Sequence, residues 1–185
     1  MCVDALARRQ RGVTLIELIV FIVIVSVALA GVLSVLNLTA RSGADPMIRK
    51  QMLAIAEGLM DEVAAQTFTW CDPDDPAAAT AINAAACATP EAMGPEAGET
   101  RGGAATPFDN VNDYNGLAAI TTSITGTAMP PGYSAAITTV PDALGPGAAQ
   151  VPAAASLRIA VTVSFNGENL TVEGYRTRYA PNSLP

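Results

Sequence analysis

Residues 8–17 read Arg8-Arg9-Gln10-Arg11-Gly12-Val13-Thr14-Leu15-Ile16-Glu17, and an apolar run follows them, Leu18-Ile19-Val20-Phe21-Ile22-Val23-Ile24-Val25-Ser26-Val27-Ala28-Leu29-Ala30-Gly31-Val32-Leu33. About 20 apolar residues are enough for a helix to cross a bilayer. The sequence therefore predicts a membrane-spanning helix over residues 13–36. By the positive-inside rule, the arginines before it mark the cytoplasmic side and place the rest of the chain on the far side.

Glu17 is the only ionisable side chain between Val13 and Leu36. A carboxylate near the centre of a membrane helix costs about 2.5–3.5 kcal/mol, and less near an end. A secretory signal peptide cut near Ala28-Leu29-Ala30 is one alternative, because it also joins a basic start to an apolar core. A plain single-span anchor is another alternative. Neither gives Glu17 or Gly12 a role.

This stretch resembles the leader of a type IV prepilin, in which a glycine precedes a Thr-Leu-Ile-Glu step and a hydrophobic helix. The resemblance implies cleavage by a prepilin peptidase after Gly12, so that residues 1–12 are a leader peptide. It also implies methylation of the new amino terminus at Val13, where the family usually has phenylalanine. Counted from Val13, Glu17 is fifth, the position whose glutamate pairs in this family with the positive terminus of a neighbouring subunit during assembly.

Composition and charge exclude several functions. The formal net charge is −7, and removal of Asp4 with Arg8, Arg9 and Arg11 subtracts two net positive charges to give −9. An acidic surface disfavours polyanionic partners, so we expect no nucleic-acid binding. The chain has no histidine, which rules out Ser-His-Asp and Cys-His catalytic groups. We therefore expect no enzymatic activity and no cofactor.

The cysteines favour a disulfide. Cys2 lies in the leader, so cleavage leaves the pair Cys71 and Cys87 in a segment predicted to lie outside the cytoplasm, where disulfides form and persist. A zinc site would need further ligands and a different spacing.

A second helical pattern follows the span. Pro46 either kinks one long helix or starts a second helix with Asp45 as its N-cap. Apolar residues then recur at helical spacing at Ile48, Met52, Ile55, Leu59 and Val63. The sequence thus predicts an amphipathic helix over residues 37–66 that continues into the domain.

Residues 67–185 are predicted to form one globular domain. Its first part is rich in Ala, Pro and Gly and should be mostly loop, with a short helix expected at residues 77–86 because alanine favours helices. The segment Asp109, Asn110, Asn112 and Asp113 is a weak calcium candidate, since its oxygens lie close in sequence but do not follow the EF-hand spacing. Asx turns are the more probable interpretation, and we otherwise expect no metal.

Strands are predicted towards the C-terminus. Residues 133–140 are one, and the alternating pattern of residues 157–165 is typical of a half-buried strand. Asn166-Gly167 is a strong signal for a two-residue turn, so residues 170–176 should return antiparallel. The amphipathic helix is the best cover for such a sheet. We therefore predict an α+β, pilin-like fold, with a long N-terminal helix packed on a C-terminal antiparallel β-sheet.

Three further stretches, residues 44–51, 70–75 and 108–116, are similar to the MshD-type minor pilins of mannose-sensitive haemagglutinin (MSHA) pili. The resemblance implies a subunit that primes, caps or decorates a pilus used in attachment. Its implied partners are the prepilin peptidase, other major and minor pilins, the inner-membrane assembly platform and the membrane. It implies an inner-membrane protein with a periplasmic domain, which moves to the pilus and cell surface after assembly. A type II secretion pseudopilin and a membrane-anchored binding protein outside any filament remain alternatives.

Overall fold

The computed structural model describes residues 12–183, with the side chains of residues 38–45 outside the description. Cys2, Asp4, Arg8, Arg9 and Arg11 of the leader therefore lie outside the described residues. The chain divides into two compact units, one ending at Met47 and the other beginning at Ile48. The main elements are helix α1 (Leu15–Ala65) and strands β1 (Leu117–Ile120), β2 (Tyr133–Pro141), β3 (Ser156–Phe165) and β4 (Glu168–Thr177).

Helix α1 contains Pro46 in its interior. The sequence left open whether this proline kinks one helix or starts another, and the structure assigns one continuous helical segment. The N-terminal unit ends one residue after Pro46. The two parts of α1 thus belong to different units, one apolar and one amphipathic.

The four strands form an antiparallel sheet in the order β1-β2-β3-β4. Pairs such as Ile137↔Val161 and Val161↔Val172 place large apolar residues of neighbouring strands opposite each other on one face. Asn166 and Gly167 join β3 to β4 with φ values of 49° and 82°. Two successive positive φ angles are those of a type I′ turn, which matches the twist of the strands it joins. The predicted hairpin is confirmed.

The core lies between the second part of α1 and the apolar face of the sheet. Met52, Leu59 and Val63 are buried there, whereas Ile48 and Ile55 are partly buried. The predicted stripe is therefore the core-facing side of α1, with Ala56 as a further, fully buried member. The α+β, pilin-like layout is confirmed.

Gly174 of β4 sits where α1 approaches most closely. A Cβ atom at this position would lie 3.1 Å from the Sδ atom of Met60. That distance is shorter than nearly all contacts of real Cβ atoms. Glycine thus makes room for the methionine, as is common where another element approaches a strand.

Two parts of the Ala/Pro/Gly-rich region differ from expectation. Strand β1 lies in a segment predicted to be loop, and it pairs with β2 through an irregular register. Residues 77–86 do not form the expected helix, since only Ala84–Ala86 form a short 3₁₀ turn. The Oδ1 atoms of Asp75 and Asn83 accept hydrogen bonds from the N–H groups of Ala77 and Ala85. Such side-chain bonds compete with helical ones, and they divide this run of alanines into turns.

Candidate functional site

The start of α1 carries the residues singled out by the sequence. Gly12 and Val13 precede the helix and are exposed. Thr14 is the residue before the helix, and its Oγ1 atom accepts a hydrogen bond from the N–H group of Glu17 at 3.4 Å. Thr14 and Glu17 therefore stand in the Thr-x-x-Glu positions of a capping box. The bond fixes the start of the helix, so that the peptide bond after Gly12 lies outside regular structure.

Glu17 is exposed in the first turn of α1. Backbone N–H groups at a helix N-terminus are not all paired within the helix, and the helix dipole there favours an anion. The Glu17 carboxylate is therefore electrostatically compatible with this position, one turn from Val13. Its exposure leaves it accessible to a group from another chain.

The following part of α1 is suited to a membrane. Residues 15–37 have a mean hydropathy of 3.0, and none of the 18-residue window is buried within the protein. Large side chains such as Ile16 and Phe21 are 71% and 63% exposed. Ser26 and Ser34 donate their hydroxyl hydrogens to the carbonyl oxygens of Ile22 and Ala30. The polar atoms of these serines are thus satisfied within the helix, as an apolar environment requires.

The predicted disulfide is confirmed. Cys71 and Cys87 are bonded, with their Cα atoms 5.4 Å apart, and Cys71 is fully buried. Next to it, the Arg178 guanidinium lies 3.9 Å and 4.2 Å from the ring centroids of Phe68 and Trp70. The disulfide therefore closes a loop whose base is packed against β4 and the residues after it.

The residues of the calcium candidate have distinct surroundings. Asn110 caps the 3₁₀ turn Val111–Tyr114, and its amide group also donates to the Oγ1 atom of Thr69. Asp109 lies with Asp72 and Asp74 in one acidic group, and Asp113 lies with Glu91 and Glu96 in another. The side chain of Asn112 donates to Glu91 and to the carbonyl oxygen of Ala92. The four residues thus contribute to a capped turn and to two different acidic groups.

Burial perturbs the carboxyl groups of this region. Burial, together with the charges of Glu96 and Asp113, raises the pKa of Glu91 to about 9. Burial also raises the pKa of Asp113 to about 8, although the N–H group of Asn110 opposes the shift. The same cause, with Asp72 and Asp74 nearby, raises the pKa of Asp109 to about 6. The sequence contained no signal for Glu91 and Glu96, because only the tertiary fold brings them to Asp113.

An apolar groove of about 680 Å³ lies between α1 and residues 123–129. At its edge, the Arg101 guanidinium binds both carboxylate oxygens of Glu62 at 2.6 Å and 2.7 Å. Arg101 also donates to the carbonyl oxygen of Thr122 at 2.8 Å. These bonds attach two loops to the helix. The ion pair is separated by 39 residues in sequence, and no local pattern predicted it.

Comparison with known proteins locates a family at the N-terminus. Residues 7–33 match the family described as Prokaryotic N-terminal methylation motif. The match includes Gly12, Val13 and Glu17 and ends within the apolar part of α1. No curated protein and no solved structure gave a match.

The motif, the exposed apolar helix and the α+β layout define the class of protein: a membrane-anchored, single-pass chain with a type IV prepilin-like leader. More particularly, this leader supports a pilin or a pseudopilin, which a prepilin peptidase processes and which assembles with other pilins.

Proposed function

We propose that this chain is a minor pilin of the MSHA type, which primes, caps or decorates a pilus used in attachment. The observation that carries the proposal is the methylation motif over residues 7–33, with Glu17 in the first turn of α1. The similarity of residues 44–51, 70–75 and 108–116 to MshD-type minor pilins supports the finer assignment. The role is structural, with no catalytic group and no cofactor.

Processing and topology follow from the leader. Cleavage after Gly12 frees the amino group of Val13, and methylation then modifies it. The arginines before Gly12 keep that end at the cytoplasmic face, so the domain beyond the span enters the periplasm. The Cys71–Cys87 disulfide agrees with this location, because disulfides persist in oxidising compartments. After assembly by the inner-membrane platform, the domain reaches the pilus and cell surface.

Glu17 directs assembly in this proposal. When apolar helices bundle in a filament, an exposed carboxylate on one of them becomes buried, and an unpaired buried charge is strongly unfavourable. The terminal amine of a neighbouring subunit neutralises it only in one axial register. The pairing therefore selects that register, while the folded domain beyond Ile48 does not depend on it.

The test uses the full chain with Glu17→Ala and Glu17→Gln in cells that make the filament. Loss of one member of a buried charge pair costs about 2 kcal/mol or more, so both variants should enter filaments or co-purify with partner pilins roughly thirtyfold less. The intact mass should show a start at Val13 in wild type and in both variants. Thermal unfolding of the domain should not change.

The glutamine variant separates pairing from helix capping, since glutamine retains the capping-box geometry but not the charge. Normal assembly of Glu17→Gln would therefore refute the pairing role. A mature start at Gly31 would favour a secretory signal instead. Mass spectrometry of co-purified proteins decides among the rest: pilins support the proposal, type II secretion components indicate a pseudopilin, and a lone chain indicates an anchored binding protein.

A further inference from the structure

Glu91, Glu96 and Asp113 bring one carboxylate oxygen each within 4.8 Å of the others. Asp113 is only 1% exposed. Its Oδ2 atom accepts hydrogen bonds from the N–H groups of Asp109 and Asn110 at 3.0 Å and 2.7 Å. Its Oδ1 atom is buried and has no hydrogen-bond partner among the described residues. The fold thus fixes this carboxylate by one oxygen and leaves the other in the cluster.

Glu91 is arranged in the same way. Its Oε1 atom accepts a hydrogen bond from the Asn112 side chain at 2.7 Å, whereas its Oε2 atom is buried without a partner. The backbone holds it in place, since the N–H group of Glu91 donates to Trp70 and that of Gly94 donates to Asn112. The Oδ1 atom of Asn112 is a further buried oxygen without a partner. Buried polar atoms are almost always paired, so such a concentration of oxygens indicates a ligand.

Protein cations do not neutralise this cluster. Among the described residues, the ion pairs are those of Arg101 with Glu62 and of Arg158 with Asp142 and Glu173. The charge of Arg178 acts on Glu91 from a distance. Its guanidinium, however, is stacked on Phe68 and Trp70 and donates to the carbonyl oxygen of Ala154.

We propose that Glu91, Glu96 and Asp113 bind one divalent cation of the calcium type. Ca²⁺ takes oxygen ligands at about 2.3–2.6 Å, so two oxygens on opposite sides of one ion are about 4.6–5.2 Å apart. The observed separation of at most 4.8 Å fits that limit. Only oxygen ligands are present, which excludes metals that need sulfur or imidazole. The cation joins the loop around Glu91 and Glu96 to the 3₁₀ turn at Asp113.

The site has space to complete the coordination shell. Glu91 and Asn112 line a cavity of about 190 Å³, and Ca²⁺ commonly takes 6–8 ligands that include water. The neighbouring group of Asp72, Asp74 and Asp109 differs, because it has no buried oxygen without a partner. It serves as a control.

The perturbed carboxyl groups agree with this assignment. Burial and mutual repulsion raise the pKa values of Glu91 and Asp113 above neutrality, so protons compete with the cation. The other charged groups that act on the pair are Glu96, Glu99, Asp72 and Arg178. Affinity for the cation should therefore increase as the pH rises from 6 to 9.

Equilibrium dialysis of the full chain in detergent against radioactive Ca²⁺ tests the proposal. We expect one ion per chain with a Kd on the order of 10⁻⁴–10⁻³ M, the range of extracellular modules. Saturating Ca²⁺ should also raise the thermal unfolding midpoint, because it binds the folded state. Glu96→Gln and Glu91→Gln should each lower the affinity by about tenfold or more. Asp74→Asn should bind as wild type does.

Unchanged binding in both glutamine variants, or no binding at millimolar Ca²⁺, would overturn the proposal. Loss of binding in Asp74→Asn alone would move the ion to the other acidic group. Competition by an equal concentration of Mg²⁺ would contradict the calcium assignment. All variants are compared at temperatures where tryptophan fluorescence shows them folded, and the filament assignment does not enter the test.

Discussion

Replacement of Glu62 by glutamine should destabilise the domain far more than an ordinary surface change. The Glu62 carboxylate and the Arg101 guanidinium form two parallel hydrogen bonds. Their side chains are only 11% and 10% exposed. Removal of the charge would leave the arginine largely shielded from water and without its counter-ion.

The structure sets the magnitude of this effect. Breaking a buried pair by removing one partner typically costs about 3–5 kcal/mol. This pair lies at the edge of a groove, so we expect about 3 kcal/mol, the lower end of that range. For a domain of this size that is a decrease of roughly 10 °C in the unfolding midpoint. The double variant with Arg101→Met should recover part of the loss, since it no longer buries an uncompensated charge.

Thermal unfolding of the full chain in detergent, followed by the fluorescence of the single tryptophan, measures all three variants in one cycle. Glu173→Gln is the matched control, because its pair with Arg158 is 53% and 34% exposed and should contribute less than about 1 kcal/mol. A loss for Glu62→Gln no larger than that of Glu173→Gln would refute the reasoning. So would a double variant whose loss equals the sum of the single ones.

Two further predictions concern the loop region. Replacing both Cys71 and Cys87 by alanine should lower the free energy of unfolding by about 3 kcal/mol in the chain-entropy account of a loop of this length; a reductant should bring wild type to the same midpoint and leave the variant unchanged, and a midpoint insensitive to reductant would contradict this. In the presence of a chelator, the raised pKa values of Glu91 and Asp113 mean that the folded state binds more protons than the unfolded state. The corresponding stability is present below about pH 4.5 and is lost towards pH 8–9, so the midpoint should fall over this interval, less so in Glu91→Gln, and a rise with pH that the variant shares would show that other groups dominate.

Local patterns were sufficient where neighbours in sequence determine the structure. The apolar run predicted the first part of α1, the spacing of Met52, Leu59 and Val63 predicted its buried side, and Asn166-Gly167 predicted the hairpin. Each of these signals arises from helical or strand periodicity, or from the φ angles that a turn requires.

The remaining features depend on contacts distant in sequence. Strand β1 carries little intrinsic strand signal and exists because β2 offers it a partner. The alanines of residues 77–86 favoured a helix, but Asp75 and Asn83 supplied competing hydrogen bonds. Glu91 and Glu96 are unremarkable in the sequence, and only the packing of their loop against Asp113 brings the carboxylates together.

The contact between Met60 and Gly174 links a residue near the end of α1 with one in the last strand. A ribosome synthesises the helix first and β4 last, so the apolar side of the helix has no partner until almost the whole chain has emerged. The strands β2, β3 and β4, by contrast, pair with their neighbours in order of synthesis. A prematurely terminated chain that lacks β3 and β4 would therefore retain its membrane helix but expose the core side of α1, which would make it a substrate for proteases of the membrane surface.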